Sequence, residues 1–333
     1  MHRKIRALGL FSGGLDSMLA AAILQAQKIE VEGVTFTSPF FGWERARQSA
    51  AYLKLPLRVL DFTDKFLPLI YRPPHGFGRG HNPCIDCHIL MLREAGEVML
   101  REGFDFLFTG EVLGQRPMSQ NRGTLNLVAR ESGFPDLVLR PLSARLLKPT
   151  RPELESWVDR ERLLALSGRG RKRQMALARE LGLGEYPSPA GGCLLTDPGY
   201  ASRLKELLSH RAQVSRQDLE LLRWGRHFRL PAGAKAVVGR TQQENEALLA
   251  LKTPADFLLK VEDYPGPLVL VAAGAPVPAL TEAAGLAGAY SDAPTGVAVT
   301  VAATRGTRIQ LIPLTTSPKE RFKGWLVGGG PGR

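Results

Sequence analysis

Two groups of residues in this chain are of the types that do chemistry, and they lie far apart in sequence. The first is Ser12-Gly13-Gly14-Leu15-Asp16-Ser17. Adjacent glycines let a backbone approach an anion, and the free N–H groups of a following helix then point at it. Ser12 and Ser17 add hydroxyl donors. A Walker A loop carries Lys after its second glycine, and none stands here. The second group is Asn82-Pro83-Cys84-Ile85-Asp86-Cys87-His88, joined by Cys193, the last of the chain's 3 cysteines. A C-x-x-C pair in a proline-initiated loop offers two sulfurs to one centre. A third thiol from the Gly191-Gly192 turn can complete three-point ligation.

Thiolate sites suit zinc and iron–sulfur clusters. Structural zinc takes four protein ligands, with His88 or His81 on hand as the fourth. A 4Fe-4S cluster on three cysteines leaves one iron open to inorganic sulfide. The competing chemistry is a persulfide on Cys87 or Cys193, resolved by the other, and it requires a lowered thiol pKa. The cluster is the preferred reading, persulfide or disulfide chemistry comes second and zinc third. An odd, sparse cysteine count argues against a disulfide scaffold.

The elements that must position these groups can be read from the pattern of apolar residues. Ile5–Phe11 predicts a buried strand, followed by the glycine turn and a helix from Met18. Val31–Phe36, Leu57–Leu60 and Phe104–Gly110 predict further strands, with helices over Trp43–Leu53 and near Ile89–Glu102. This βαβα order predicts a doubly wound parallel sheet, whose ligands sit beyond the carboxyl ends of the strands. Gly13, Thr37 and Gly110 fall at such ends. The stretch Arg72–Gly80 reads as a Pro/Gly loop, and Tyr186–Cys193 is a second punctuated stretch, after which a domain boundary is expected around 205. The remainder predicts an α+β module: a helix at Asp218–Arg223, then strands near Ala236–Gly239, Phe257–Val261, Leu268–Ala272, Val297–Ala302 and Ile309–Pro313, with a frayed glycine-rich end.

Composition narrows the classes. At 333 residues, 44% hydrophobic and 23% charged, the chain has the make-up of a two-domain globular protein. It has no apolar run of membrane-spanning length and no signal-peptide core, so no membrane partner and a cytoplasmic location are expected. A net charge of +12, spread along the chain, favours a polyanionic partner. Ser167-Gly168-Arg169-Gly170-Arg171-Lys172-Arg173 concentrates that charge before a helix at Met175–Leu181. It is a candidate grip on an RNA backbone, because basic charge at a helix start is otherwise unfavourable. Arg116 and Arg122 are candidate phosphate contacts nearby.

Taken together, Ser12–Ser17, Cys84–Cys87 and Thr109-Gly110-Glu111-Val112-Leu113-Gly114-Gln115 resemble the PP-loop (pyrophosphatase-loop) tRNA thiouridine synthases over about residues 5–200. Ser119-Gln120 and Leu139-Arg140-Pro141-Leu142 bring the likeness closest to the 4-thiouridine branch, while Asn82–Cys87 is shared with the 2-thiouridylases. The resemblance implies an adenine-nucleotide α-hydrolase-like domain over 1–205. There ATP adenylates a uridine oxygen with release of pyrophosphate, and sulfur then displaces AMP. It implies that Ser12, Gly13, Gly14, Asp16 and Ser17 hold the phosphates, with Asp16 helping Mg2+. Phe36 and Thr37 would lie near the adenine, and Gly110, Glu111 and Gln115 beside the reacting groups. Cys84, Cys87 and Cys193 would deliver the sulfur, taken from inorganic sulfide or a cysteine desulfurase. Set against the usual 4-thiouridine synthases, neither an N-terminal RNA-binding extension nor a rhodanese-type domain is expected here, an expectation that fits direct sulfide use through a cluster.

Val237–Glu246 and Leu259–Pro267 resemble the RNA-binding domain of the NFACT ribosome-quality-control proteins, which implies a tRNA-binding module over 206–333. Its candidate contacts are Arg226, His227, Arg229, Arg240 and Lys260. The expected activity is therefore an ATP-dependent tRNA sulfurtransferase, with 4-thiouridine preferred over 2-thiouridine. Two alternatives are a PP-loop ligase or amidotransferase of the tRNA-lysidine synthase kind, and a non-catalytic RNA-binding protein that senses nucleotide.

Overall fold

The computed structural model describes residues 3–186 and 192–328. They fall into two compact units, Met1–Leu194 and Leu195–Arg333. The division lies ahead of the boundary expected at 205 because a helix, Pro198–His210, spans that position and is bonded to later residues. Tyr200 Oη donates to the Leu219 carbonyl at 3.0 Å, and Arg203 Nε to the Leu222 carbonyl at 2.9 Å. Most of the punctuated stretch before Cys193, including Gly191, lies outside the described residues, as does the glycine-rich end from 329.

In the N-terminal unit, strands β1 (Arg6–Leu10), β2 (Glu30–Thr37), β3 (Leu57–Asp61), β4 (Phe106–Thr109) and β5 (Val138–Leu139) form a parallel sheet in the order β3-β2-β1-β4-β5. Between and after them run α1 (Leu15–Gln25), α2 (Glu44–Tyr52), α3 (Thr63–Tyr71), α4 (Cys84–Glu102), α5 (Arg122–Ser132), α6 (Arg151–Leu154) and α7 (Lys172–Glu180). This is the doubly wound α/β class that the alternation implies. The chain steps outward from β1 to β2 and β3, then crosses back to β4 and β5. The carboxyl ends of β1 and β4 therefore flank the point where strand order reverses, the place such sheets bind ligands.

Alternation along the strands sorts the core. Ala7 and Phe11 of the β1 segment and Phe106 and Phe108 of β4 share one apolar cluster with Met18, Leu19 and Leu24 of α1. The buried residues of α4, among them Leu92, Val98 and Met99, belong to other packing. Gly9 sits opposite Phe108 in the β1–β4 register, and the Phe108 ring lies over it: a Cβ there would stand 2.1 Å from the ring.

One element differs from its sequence-based reading in a way that matters. Helix α4 begins at Cys84, not near Ile89, so the C-x-x-C pair occupies its first turn instead of a loop. Pro83 precedes the helix, where its missing N–H costs nothing, and Asp86 meets the positive end of the helix dipole.

The C-terminal unit is an α+β module. Its antiparallel sheet runs β11-β10-β8-β9-β7-β6-β12. In chain order the strands are β6 (Arg226–Arg229), β7 (Lys235–Val238), β8 (Phe257–Val261), β9 (Val269–Val271), β10 (Ala298–Arg305), β11 (Arg308–Thr315) and β12 (Leu326–Val327). The helices are α8 (Pro198–His210), α9 (Arg216–Leu221), α10 (Gln242–Leu251) and α11 (Val277–Tyr290). Ala236 and Val238 turn toward α11, whereas Val237 packs with Leu248 of α10 and Leu270 of β9. Among the described residues no helix is long and apolar enough to cross a membrane.

The Gly9–Phe108 contact gives a direct check of the sheet register. Gly9→Ala is expected to cost about 1–3 kcal/mol through overpacking, read as a lower thermal midpoint. Shortening the opposing ring in Gly9→Ala/Phe108→Leu should recover part of that loss. Independent, additive losses would show that the two positions do not share a face.

Candidate functional site

The Ser12–Ser17 loop leaves β1 and enters α1 with its anion-binding geometry formed. Gly13 takes φ +71°, and a Cβ there would lie 2.5 Å from the Arg45 carbonyl oxygen, so only glycine fits against α2. Gly14 is the N-cap, and no side chain caps the helix. The N–H groups of the first turn are therefore not consumed by a local acceptor. Ser17 Oγ donates to the Gly14 carbonyl at 2.8 Å, and Ser49 Oγ of α2 to the Gly13 carbonyl at 2.8 Å, which fixes the loop from both sides. At the end of β4, Gly110 closes the crevice: a Cβ there would stand 2.5 Å from the Ser17 nitrogen. Asp16 Oδ2 accepts from Gln115 Nε2 at 3.0 Å, while its buried Oδ1 has no partner among the described residues.

A buried carboxylate ties this crevice to the cysteine helix. Glu111 is 6% exposed, and so is Arg140. Arg140 Nε donates to Glu111 Oε2 at 2.9 Å, and Thr109 Oγ1 to the same oxygen at 3.0 Å. His88, next to Cys87 on α4, meets Oε1 through Nδ1 at 3.1 Å, and because a carboxylate only accepts, the ring nitrogen donates. Arg140 also donates to the Leu125 carbonyl of α5 at 3.0 Å. Burial pushes the Glu111 carboxyl up, but Arg140 and His88 outweigh it and hold the group at about 2. The carboxylate is ionised at neutral pH.

All three thiols lie in the N-terminal unit. Cys84 and Cys87 stand one turn apart on the same side of α4, Cys87 buried and Cys84 half-buried. Cys193 is half-buried, and the Leu194 N–H donates to the Phe40 carbonyl at 2.9 Å, pinning that segment to the turn after β2. Burial drives the Cys87 thiol well up, and both Cys193 and Cys84 are near enough to add to the shift. Cys84 is likewise raised by burial, against which the Arg116 cation acts. Thus the structure brings the three cysteines into one neighbourhood beside His88 and the Glu111 carboxylate. Among the described residues no three His, Cys, Asp or Glu side chains converge tightly enough to hold a single metal ion. His81 is spent on the Ile70 carbonyl at 2.7 Å and stacks on Phe77, so it does not serve as a fourth zinc ligand.

The remaining residues singled out from sequence divide clearly. Phe36 is buried with its ring 5.0 Å from that of Phe62, so it forms wall, while Thr37 stays half-buried at the end of β2. The basic run is held against the site, which sequence distance concealed. Leu113 bridges Ser167, and the Gly168 N–H donates to the Leu113 carbonyl at 2.8 Å. Arg169, Lys172 and Arg173 are exposed there. Arg171 is close enough to Arg45 that burial first, and Arg171 second, lower the Arg45 pKa. Arg45, missed in the sequence, approaches Gly14 from α2; its only sequence signal was a basic residue in the first helix after the Thr37 strand end. Arg116 and Arg122 are exposed.

In the C-terminal unit, Arg229 is engaged by Glu206 at 2.6 Å and Arg226 lies over the Tyr290 ring at 5.2 Å. Arg240 pairs with Glu244, and Lys260 is exposed beside Glu262 at 3.2 Å. His227 is buried.

Residues 3–145 match the family model described as thiamine biosynthesis protein (ThiI), and residues 225–326 match that of the NFACT protein RNA binding domain. The N-terminal unit is thus similar to a ThiI-type domain and the C-terminal unit to an NFACT-type RNA-binding domain. A probable tRNA sulfurtransferase of Thermoanaerobacter sp. (strain X514) is 32% identical over 146 residues, covering 41% of this chain and 36% of that protein. The tRNA-specific 2-thiouridylase MnmA of Desulforamulus reducens is 27% identical over 225 residues, 60% of this chain and 58% of that protein. A solved 4-thiouridine synthetase–RNA complex with bound ATP is 21% identical with a TM-score of 0.35, over 54% of this chain and 51% of that one. The chain thus spans about a third of the length of the tRNA sulfurtransferase it matches.

The buried carboxylate predicts a pH dependence. A group whose pKa falls from 4.5 to about 2 on folding stabilises the fold above pH 4.5 and loses that contribution as pH falls from 4.5 toward 2. Glu111→Gln should therefore lower stability on the order of 3 kcal/mol at pH 7, and the gap should narrow progressively below pH 4.5. Denaturant midpoints of both proteins at pH 7, 5 and 3.5 measure it. A gap independent of pH would mean that Glu111 is not held as a buried carboxylate.

Proposed function

We propose that this protein is an ATP-dependent tRNA sulfurtransferase that converts a uridine to a thiouridine, 4-thiouridine in preference to 2-thiouridine. The observation that carries the reading is the link from Cys87 through its neighbour His88 to Glu111, which joins the thiols to a formed nucleotide loop. The preference for the 4-position rests on the ThiI family match.

The reaction divides into two balanced steps. The uridine carbonyl oxygen attacks the α-phosphorus of ATP, pyrophosphate leaves, and the ring gives up its N3 proton. Hydrosulfide then adds at the activated carbon, AMP departs with the former carbonyl oxygen, and the hydrosulfide proton restores the N–H. For the first step, Gly13, Gly14 and the α1 N-terminus receive the phosphates, with Ser12 and Ser17 beside them. Arg45 and Arg171 add two cations at the same mouth. Asp16 suits Mg2+, since its Oδ1 is buried without a protein partner while Gln115 fixes the other oxygen. Such an ion neutralises the leaving pyrophosphate.

For the second step, Cys84, Cys87 and Cys193 supply the sulfur. Three sulfurs gathered in one neighbourhood match a cluster held by three cysteines. The raised thiols also argue against a free thiolate of the persulfide kind. When bound, a 4Fe-4S cluster on these three residues supplies an iron without a protein ligand, open to sulfide from the donor. The tRNA is held by the C-terminal module and by Arg169, Lys172 and Arg173 at the crevice.

Anaerobically purified protein, supplied with tRNA, ATP, Mg2+ and sulfide, tests the scheme through released pyrophosphate and nucleoside mass spectrometry. Asp16→Asn should lose at least 100-fold in pyrophosphate release. Cys87→Ser should keep tRNA-dependent pyrophosphate release within a few-fold yet form no thiouridine. Wild type should carry roughly four iron and four sulfide with a broad band near 400 nm, absent in Cys87→Ser. Thiolation by Cys87→Ser at the wild-type rate would overturn the cysteine roles. Iron-free but active wild type would overturn the cluster alone.

A further inference from the structure

The Arg72–Gly80 loop leads into the cysteine helix, and no part of the thiolation scheme uses it. Glycine and proline dominate it, a composition that by itself promises slack chain. The structure pins it at several points instead. The His75 N–H donates to Asp86 Oδ2 at 3.1 Å, and His75 Nδ1 donates to Asp86 Oδ1 at 2.8 Å. On its other side the same ring has Nε2 3.4 Å from Glu131 Oε2. The Gly78 N–H donates to the Asn82 carbonyl at 2.8 Å, and His81 Nε2 to the Ile70 carbonyl at 2.7 Å. The loop is thereby fixed to α3, α4 and α5 together.

What these bonds hold in place is a phenyl ring. Phe77 is 39% exposed, and its ring stacks on that of the buried His81, with centroids 4.0 Å apart and planes at 24°. One face is backed by the imidazole, and the side chain is otherwise open to solvent. Tyr52 is similarly exposed, but its hydroxyl accepts from the Gly184 N–H at 3.0 Å. Phe77 has no polar atom to use in that way. A lone exposed apolar side chain is ordinary, and what singles this one out is its setting. His81, which backs the ring, stands three residues ahead of Cys84, and Asn82, which holds Gly78, stands two ahead. Arg72 and Arg79 are exposed on the same loop, and Arg116 is near enough to Cys84 to act on its thiol.

An open, immobilised aromatic face flanked by cations is the arrangement that takes an unpaired base of RNA, the ring covering the base and the arginines meeting its phosphates. We propose that Phe77 is the stacking platform for one unpaired base of the tRNA substrate, with Arg72 and Arg79 on the adjoining phosphates. The proposal rests on the sulfurtransferase reading, since that reaction must bring a uridine out of its stack to the thiols. Arg169, Lys172 and Arg173 can fix the RNA backbone, but only a flat face holds a base. The adenine of ATP carries the same stacking chemistry, so the two sources must be separated.

The test uses the full chain and unfractionated tRNA in filter binding, with KM for tRNA and KM for ATP in tRNA-dependent pyrophosphate release as the second readout. Phe77→Leu keeps an apolar side chain but removes the flat face. It is expected to weaken tRNA binding and raise KM for tRNA about tenfold, with KM for ATP unchanged. Phe77→Trp keeps a flat face and should bind tRNA as wild type does. Arg79→Gln should lower the salt slope of binding by about 1, which Phe77→Leu should leave as it is. Unchanged tRNA binding by Phe77→Leu overturns the proposal. An equal loss in Phe77→Leu and Phe77→Trp overturns it too, by assigning the effect to the shape of the loop. A raised KM for ATP with tRNA binding intact would make the ring an adenine platform and likewise overturn it. Wild type that binds tRNA but forms no thiouridine would bring down the sulfurtransferase reading alone, and the Phe77 variants would still decide the contact. Wild type that binds no tRNA would bring down both.

Discussion

The Glu111 carboxylate is the constraint on which the N-terminal unit depends. It is buried at the end of β4, and a buried charge persists only when several partners answer it. Here the partners come from four parts of the chain: Thr109 from its own strand, Arg140 beyond β5, His88 from α4, and through Arg140 the Leu125 carbonyl of α5. Each partner is thereby held in a defined position relative to the others. The consequence for chemistry is that the first turn of α4, with Cys84 and Cys87, is tied to the strand end that closes the nucleotide crevice. A buried ion pair can be purely structural. This one differs in that its histidine is only partly covered and sits next to a thiol.

How far the sequence discloses this arrangement depends on the range of the interactions. The Ser12–Ser17 loop is legible because its requirements are local: Gly13 must reach positive φ and accept α2 against its Cα, and no other residue type does so. The parallel sheet is legible for the same reason, since apolar runs and turn residues alternate at short spacing. The start of α4 is misread because Asn-Pro-Cys is punctuation typical of a loop, whereas Pro is equally at home just before a helix. Strand β6 is hidden by its composition, Arg-His-Phe-Arg, of which only the central pair is buried. Helix α11 is hidden by the reverse: alanine, glycine and leucine on every side carry no amphipathic stripe.

The long-range contacts are where local reading fails. Nothing near Ser167 in sequence signals that its loop bonds to Leu113, yet that contact brings the basic run to the crevice. Likewise Arg45 reads as one more surface cation on a polar helix until the fold sets it over Gly14. The candidate RNA contacts of the C-terminal unit show the converse. Arg229 and Arg240 look like free charge in sequence, but each is spent on a glutamate, which leaves Lys260 the more exposed of the three.

The same distinction separates the proposed activity from its rivals. A ligase acting on an amine, or a protein that only senses nucleotide, accounts for the loop, the sheet and the basic run. Neither has a use for three thiols, and in neither would α4 need to present two of them on its first turn. Burial makes Cys84 and Cys87 poor nucleophiles on their own, which suits the proposal that they act together on something that takes them as thiolates. Arg116 beside Cys84 favours that ionised state. Gathering one buried and two half-buried sulfurs in one neighbourhood suits their use as a set, which is what the proposed sulfur transfer requires.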